Sequence, residues 1–342
     1  MKLLKTTLCA ALGMALAVGS VFAGGGAQSS GGQAAGGSGA KIAVTFAGTE
    51  GATSGQSRMM TEVTKTLNDS GRFDVKVYVA GALPGDTDNL VTQAKLGVNL
   101  VVPSDPGRLA SQFNIPDLNI LMAPYVLTDY KLLEKLPQTA LYKEWQTALE
   151  AQGIILIADM FNGFRSFYTT TPVNNVADLS GLRLRGFGNA IGQALAKYLG
   201  YAQTTVNATE IYSGIQAKSL DGCEIQASTA DSYRLYEVTP YLALSKHYML
   251  QSSFVCGKAL LDSMPAADRD FFLKTVNDAA TKYSGIIAQE EQGYYDGFKT
   301  KGITVTEVDI AEFQQAVDPL YTNNDLKLTA GLKDRLFKEL GL

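Results

Sequence analysis

Between Lys41 and Val102 the chain alternates strand-like and helix-like stretches, and this alternation limits the fold more than any other feature of its 342 residues. Lys41 to Ala47 (KIAVTFA) has a strand pattern, Phe73 to Ala80 (FDVKVYVA) alternates apolar and polar positions, and Val98 to Val102 is a short buried-strand run. Between them, Thr53 to Asn68 places Met59, Val63 and Leu67 at helical spacing, and Thr87 to Leu96 is a helix closed by Gly97. The order β-α-β-α-β predicts an α/β fold with a mostly parallel sheet, which binds ligands beyond the carboxyl ends of its strands. Ser104, Asp105 and Arg108 directly follow the third strand and are therefore candidate cleft residues.

The later part of the chain repeats this logic around two arginines. Gly153 to Phe161 (GIILIADMF) reads as a buried strand that leads into Asn162-Gly-Phe-Arg165, and Ser166 to Thr171 continues as strand toward a second lobe. Leu182 to Arg185 alternates apolar and charged residues as a short strand, Gly186-Phe187-Gly188 ends it, and Ala190 to Leu199 is a helix. This arrangement suits an anion. The arginine fork fits a carboxylate bidentately, glycines allow close backbone approach, and a helix N-terminus favours negative charge. The plainer alternative is a surface arginine on an edge strand. Further on, Asn207 and Glu210 form a capping-box pattern for a helix over Ala208 to Ser219. Leu220 to Gln226 turns into a strand, Ala230 to Val238 is helical, and Tyr241 to Lys246 and Tyr248 to Gly257 are strand-like. The longest helical pattern runs from Ala266 toward Lys301, with only Gly285, Gly293 and Gly297 as weak points; Ile303 to Val308 then reads as a strand, and the C-terminus as helical.

The N-terminus predicts export. A basic start (Met1 to Lys5), an apolar run from Thr6 to Phe22, and small residues at Val21 and Ala23 before Gly24 form a signal-peptide pattern over residues 1–23. An uncleaved anchor is the alternative; a lipoprotein would need a cysteine where Gly24 stands. Residues 24–40 are a Gly/Ser/Ala/Gln linker with a reach of roughly 20 Å, so a membrane tether remains compatible with a periplasmic location. The two later cysteines, Cys223 and Cys256, are expected as buried thiols.

Composition and motifs remove other functions. A net charge of −4 and a pI near 5.2 argue against nucleic acid as a partner. His247 is the only histidine, it lies in a strand-like run with no G-x-S-x-G elbow nearby, and it is expected to be structural rather than a catalytic base. No zinc-ligand spacing exists, and Asp86-Thr-Asp88-Asn89 is a helix cap rather than a calcium loop, so neither metal nor cofactor is expected. The turn from Gly186 to Gly192 imitates a dinucleotide fingerprint, but its spacing is one residue too long and Thr204 to Asn207 stand where an acid is needed. Two strand-end arginines, glycine turns and the aromatics Phe161, Phe164, Phe187 and Tyr212 describe an acid-binding pocket without a nucleophile.

These residues also resemble a family, the solute-binding proteins of TRAP (tripartite ATP-independent periplasmic) transporters, of the DctP type. Asn162-Gly-Phe-Arg165 followed by Thr171-Pro-Val-Asn-Asn-Val-Ala-Asp-Leu-Ser-Gly-Leu-Arg-Leu-Arg185 is similar to the family's G-x-R and P-V…D-L-K-G-L-K-I-R-V-P blocks. Tyr198-Leu-Gly200, Thr209-Glu-Ile-Tyr-Ser-Gly-Ile-Gln216 and Leu220-Asp-Gly-Cys-Glu224 resemble L-G-A, E-V-Y-x-A-L-Q and V-D-G-Q-E, and the run from Tyr236 to His247 and Met122-Ala-Pro-Tyr125 match as well. The resemblance implies a two-lobed periplasmic-binding-protein-like fold with a cleft between the lobes, crossing strands and a long helix spanning both. It implies lobe I at 41–162 with 251–290 returning to it, and lobe II at 163–250 with 291–342 packing across. It further implies a receptor, not an enzyme, in which Arg185 binds the carboxylate of a small organic acid and Arg165 assists. Tyr212 and the residues after Glu224, Ile225 and Gln226, would line the cleft on the same resemblance; Asn162, Phe187 and Glu224 are candidates beside them, and the small and large subunits of a TRAP membrane permease would receive the ligand. The chain departs from the pattern at Gly186-Phe187-Gly188, which replaces V-P, at Cys223, which replaces Gln, and at Ile225, which removes a side-chain donor. An ABC-type receptor and a dinucleotide-dependent oxidoreductase using Gly186 to Gly192 are the alternatives.

Overall fold

The β-α-β-α-β run forms as expected in a computed structural model, which describes residues 40–342. The expected signal peptide and all but the last residue of the linker lie outside the described residues. In chain order the run is β1 (Ile42–Ala47), α1 (Gly55–Asp69), β2 (Phe73–Tyr78), α2 (Thr87–Lys95) and β3 (Leu100–Ser104), followed by α3 (Pro106–Gln112). β1 lies parallel between β2 and β3, with Ile42 opposite Phe73 and Thr45 opposite Leu100. Each helix starts on a side chain that accepts from an otherwise unpaired backbone N–H: Ser54 from Ser57, Asp86 from Asn89, and Asp105 from Arg108. The stripe Met59, Met60, Val63 and Leu67 of α1 packs on Val44, Phe46 and Phe73.

The chain continues with α4 (Ala140–Glu150), β4 (Ile154–Thr169), β5 (Arg183–Arg185), α5 (Ala190–Leu199), β6 (Ala202–Thr204), α6 (Ile211–Gln216), β7 (Gly222–Gln226), β8 (Tyr241–Gly257), α7 (Ala266–Thr300) and β9 (Thr304–Thr306). β4 and β8, at 16 and 17 residues, organise the rest. At one end β8 pairs with β3, Val101 opposite Cys256; at the other β4 pairs with β7, Arg165 opposite Gln226. One sheet therefore runs β2-β1-β3-β8-β4-β7-β5-β6, with β9 beside β8. Its two ends are the two lobes of an α/β fold, and β4 and β8 belong to both. The β4–β8 register slips between Phe161 and Phe164 and again between Arg165 and Phe167, where Gly163 has φ +108°. Such bulges bend a strand and re-aim its side chains, and here they flank Asn162 and Arg165, the latter staying paired with Gln226 and Tyr248.

α7 spans both lobes. Phe272, Val276 and Ala280 pack in the α1 core, Ile287 in the central core, and Tyr295 and Phe298 in the core around β7. Its 35 residues extend about 50 Å.

Three sequence expectations need correction. The sheet is mixed, because the crossing strands run antiparallel to β3, to β7 and to each other. The expected helix over Ala208 to Ser219 is a 3₁₀ turn at Ala208–Glu210 followed by the six-residue α6; the Asn207–Glu210 capping box is present. The expected helix over Ala230 to Val238 instead covers Ala227–Ser232 and then breaks, because Arg234 adopts φ +56°.

Candidate functional site

The segments that follow the carboxyl ends of β1, β3, β5 and β6 face a common cavity of about 710 Å³. Its walls are Thr49 after β1, the loop from Gly81 to Asp88, Arg108 of α3, the turn from Arg185 to Asn189, and Thr205 to Glu210. It opens inward to a chamber of about 60 Å³ lined by Glu50, Gln56, Ser104, Asp105, Arg165, Ile225, Gln226 and Gln251. Thr49, Thr87, Arg108, Arg185, Phe187 and Ala208 border both spaces.

Arg185 stands at this junction because β5 ends there. Its Nε donates to the Val206 carbonyl at 3.2 Å, and among the described residues no carboxylate lies within ion-pairing distance of it. Burial, with repulsion from Arg165 and Arg108, lowers its pKa to about 10 despite the attraction of Glu224. It stays charged at neutral pH, but it is a buried cation short of an anion. Next to it, Asn189 caps α5 by accepting from the Gly192 N–H at 3.1 Å. Gly192 is required by close approach rather than by a left-handed backbone: a Cβ there would meet the Phe187 carbonyl oxygen at 2.0 Å. That glycine seats the helix on the turn and leaves no phosphate cradle at its own position.

Arg165 is differently employed. It is 1 % exposed, and its Nε donates to Glu224 Oε2, one terminal nitrogen to Gln226 Oε1 at 3.1 Å, and the other to the Glu224 carbonyl. Burial opposes both charges. Arg165 and His247 nonetheless hold the Glu224 carboxyl down at about 2, and Glu224 raises the Arg165 pKa. Tyr248 also donates to Glu224 Oε2, at 3.3 Å. His247 is buried against Phe167 at 4.7 Å between ring centroids, with Nδ1 on Ser245 Oγ at 2.8 Å; burial lowers its pKa, so it is neutral. The pair Arg165–Glu224 is thus an internally neutralised wall of the chamber.

Phe187 ties the arginines together. The guanidinium carbons of Arg108, Arg165 and Arg185 lie 5.2, 4.4 and 5.3 Å from its ring centroid, within cation–π range. Arg108 is neutralised by Asp105 at 3.0 Å and Asp88 at 3.3 Å. Asp105, itself pushed up by burial, is drawn back by Arg108.

Of the residues singled out in the sequence, Ser104, Asp105, Arg165, Arg185, Phe187, Ile225 and Gln226 line the two spaces. Glu224 lies beneath Arg165, and Asn162 is buried behind the chamber, donating to Glu50 Oε1 at 2.8 Å. Tyr212 stands apart: its hydroxyl donates to Glu237 at 3.0 Å, and it borders neither space. Cys223 and Cys256 are free and buried, and burial pushes each thiol up to about 12.

Sequence reasoning missed Glu50. Its Oε1 also accepts from Gln226 at 2.8 Å, burial raises its pKa, and its Oε2 has no partner. The rule that selected Ser104, position just beyond a strand's carboxyl end, selects Thr49 and Glu50 after β1 as well.

The sequence profile of the bacterial extracellular solute-binding proteins, family 7 (DctP), matches residues 46–326. The chain is 24% identical over 273 residues to the sialic acid-binding periplasmic protein SiaP of Vibrio cholerae, covering 79% of this chain and 84% of that one. It is 26% identical over 258 residues to the C4-dicarboxylate-binding periplasmic protein DctP of Rhodobacter capsulatus, covering 74% and 76%. Among solved structures, a TRAP periplasmic solute-binding protein from Ochrobacterium anthropi with bound L-fuconate superposes with a TM-score of 0.82 at 22% identity, covering 88% of this chain and 100% of that one. Another, from Fusobacterium nucleatum with bound sn-glycerol-3-phosphate, gives 0.81 at 20% identity, covering 87% and 97%.

Proposed function

The chain belongs to family 7 of the bacterial extracellular solute-binding proteins, and from that membership we propose that Arg185 clamps the carboxylate of a small organic acid which the protein carries to a TRAP membrane permease. It is a TRAP-type periplasmic receptor for small organic acids rather than an enzyme, and no helix among the described residues is long and apolar enough to cross a membrane. The observation that carries the clamp is the buried, unpaired Arg185 at the junction of the two spaces, beside two arginines that already hold their own carboxylates. A bound carboxylate supplies the missing anion through charge-assisted bonds. The lobe limits read from the sequence, 41–162 with 251–290 and 163–250 with 291–342, place β3 and β7 in different lobes. The ligand would then lie between them and draw them together. The relatives bind acids as different as sialic acid and C4-dicarboxylates, as their names state, so the carboxylate is the shared element.

The test is a thermal-shift panel of organic acids on protein stripped of ligand by unfolding and refolding. A ligand at a hundred times its Kd stabilises by about 2.7 kcal/mol. One acid raising the midpoint while its methyl ester does not supports the clamp; acid and ester acting alike overturns it. Delivery is tested by uptake in cells carrying the permease subunits, with and without this protein.

A further inference from the structure

The chamber beyond Arg185 has polar groups on part of its wall and Pro103, Ile225 and Leu250 on the rest, and among the described residues it holds no free cation. Glu50 is 8% and Ser104 3% exposed, and Gln251 is fully buried. Glu50 Oε2, Ser104 Oγ and both atoms of the Gln251 side-chain amide have no hydrogen-bond partner, and all three residues line the chamber. Unpaired buried polar groups are costly and uncommon, and several around one space point to a missing partner. The partner's chemistry follows from what is left over. Arg165 is bound to Glu224 and Arg108 to Asp105, so Arg185 alone has charge to offer and one carboxylate satisfies it. A second carboxylate placed inward would meet the Glu50 carboxylate with no cation to offset it. A hydroxyl meets each requirement, since it donates to Glu50 and both donates to and accepts from Ser104 and Gln251. An alkyl chain would leave all three unpaired. The inner space holds about four water-sized positions, enough for a short hydroxylated segment.

We propose that the ligand is a polyhydroxylated monocarboxylate, with its single carboxylate on Arg185 and its hydroxyl groups on Glu50, Ser104 and Gln251. This rests on the acid-receptor reading above. Its test is calorimetric titration of the ligand-stripped full chain with aldonates and uronates of four to six carbons in their several configurations, with hexanoate, and with succinate. At least one hydroxylated acid is expected to bind tenfold or more tightly than hexanoate and succinate. Glu50→Gln, which replaces a carboxylate oxygen by a donor of the same shape, is expected to weaken that acid about tenfold, and Ser104→Ala severalfold. The same Glu50→Gln change would tighten a dicarboxylate by removing a like charge, so the sign of its effect separates the two ligand classes. Succinate or hexanoate binding as well as the best hydroxylated acid overturns this inference, as does an unchanged affinity in Glu50→Gln. If Arg185→Ala still abolishes binding in that case, the acid receptor stands and only the hydroxyl assignment falls. If no acid binds the wild-type chain, both fall.

Discussion

Arg185 and Arg165 have the same charge and nearly the same burial, yet opposite expected effects on substitution. Arg185 has no carboxylate of its own, so removing it relieves repulsion among cations while the ligand loses its anchor. Truncating one partner of a buried charge pair costs roughly 2–5 kcal/mol, so Arg185→Ala is expected to weaken acid binding at least about thirtyfold with little loss of Tm. Arg185→Lys is expected to fail as well, because an ammonium cannot reproduce the fork; calorimetry and melting on the same samples check both. Arg165→Ala strands Glu224 in the interior, and breaking a buried pair from one side costs about 3–5 kcal/mol of stability. Acid separates these roles again. Because the folded pKa of Glu224 is depressed from 4.5 to about 2, its contribution is complete above about pH 4.5 and lost as pH falls through about 2. The shift corresponds to roughly 3 kcal/mol. Glu50 and Asp105 are shifted the other way and recover stability on protonation. The stability gap between wild type and Glu224→Gln, from urea titrations, is therefore expected to be widest at neutral pH and to close toward pH 2. Arg185 was legible in the sequence because an arginine ending an alternating strand before a glycine turn is an uncommon combination. Glu50 carries only the weaker signal of position, following the carboxyl end of β1, because one acid in a loop of Gly, Thr and Ser otherwise reads as ordinary surface.

At the scale of elements, the glycines divide by what surrounds them. Gly285, Gly293 and Gly297 lie within α7, and a Cβ at any of them meets open space. Each Gly→Ala change there is expected to stabilise by up to about 1 kcal/mol, read as a raised urea midpoint at unchanged slope. Gly192→Ala is expected to damage both folding and ligand binding, because its Cβ would overlap the Phe187 carbonyl and push α5 off the turn that positions Arg185. Helix spacing in the sequence located α1, α2, α5 and α7 to within a few residues, since each has a long apolar stripe. The helices between Ala208 and Val238 are shorter than apolar spacing predicts, because a left-handed Arg234 and a 3₁₀ turn leave no mark on that spacing. Antiparallel pairing was equally invisible: a strand buried on both faces has the same apolar run whichever way its neighbours point.

For the whole molecule, the crossing strands make the two lobes interdependent. β3 has β8 as its inner neighbour, and β7 has β4, so neither lobe owns a complete sheet. Residues 41–162 made alone would expose β3 as an open edge and would lack the α7 face that packs on α1. That fragment is expected to show no cooperative melt, whereas residues 40–342 melt in one transition, as followed by circular dichroism.

The position of β8 in the chain also sets a schedule. Val101 must wait for Cys256, some 150 residues later, before β3 gains its second neighbour. A polypeptide emerging from its amino end therefore passes through a long interval in which its earliest strands are made but cannot be enclosed. Contacts this distant in sequence form slowly, and a chain in that interval remains threadable. The two strands that join the lobes thereby also act as a clock, holding the native state back until about three quarters of the polypeptide is present.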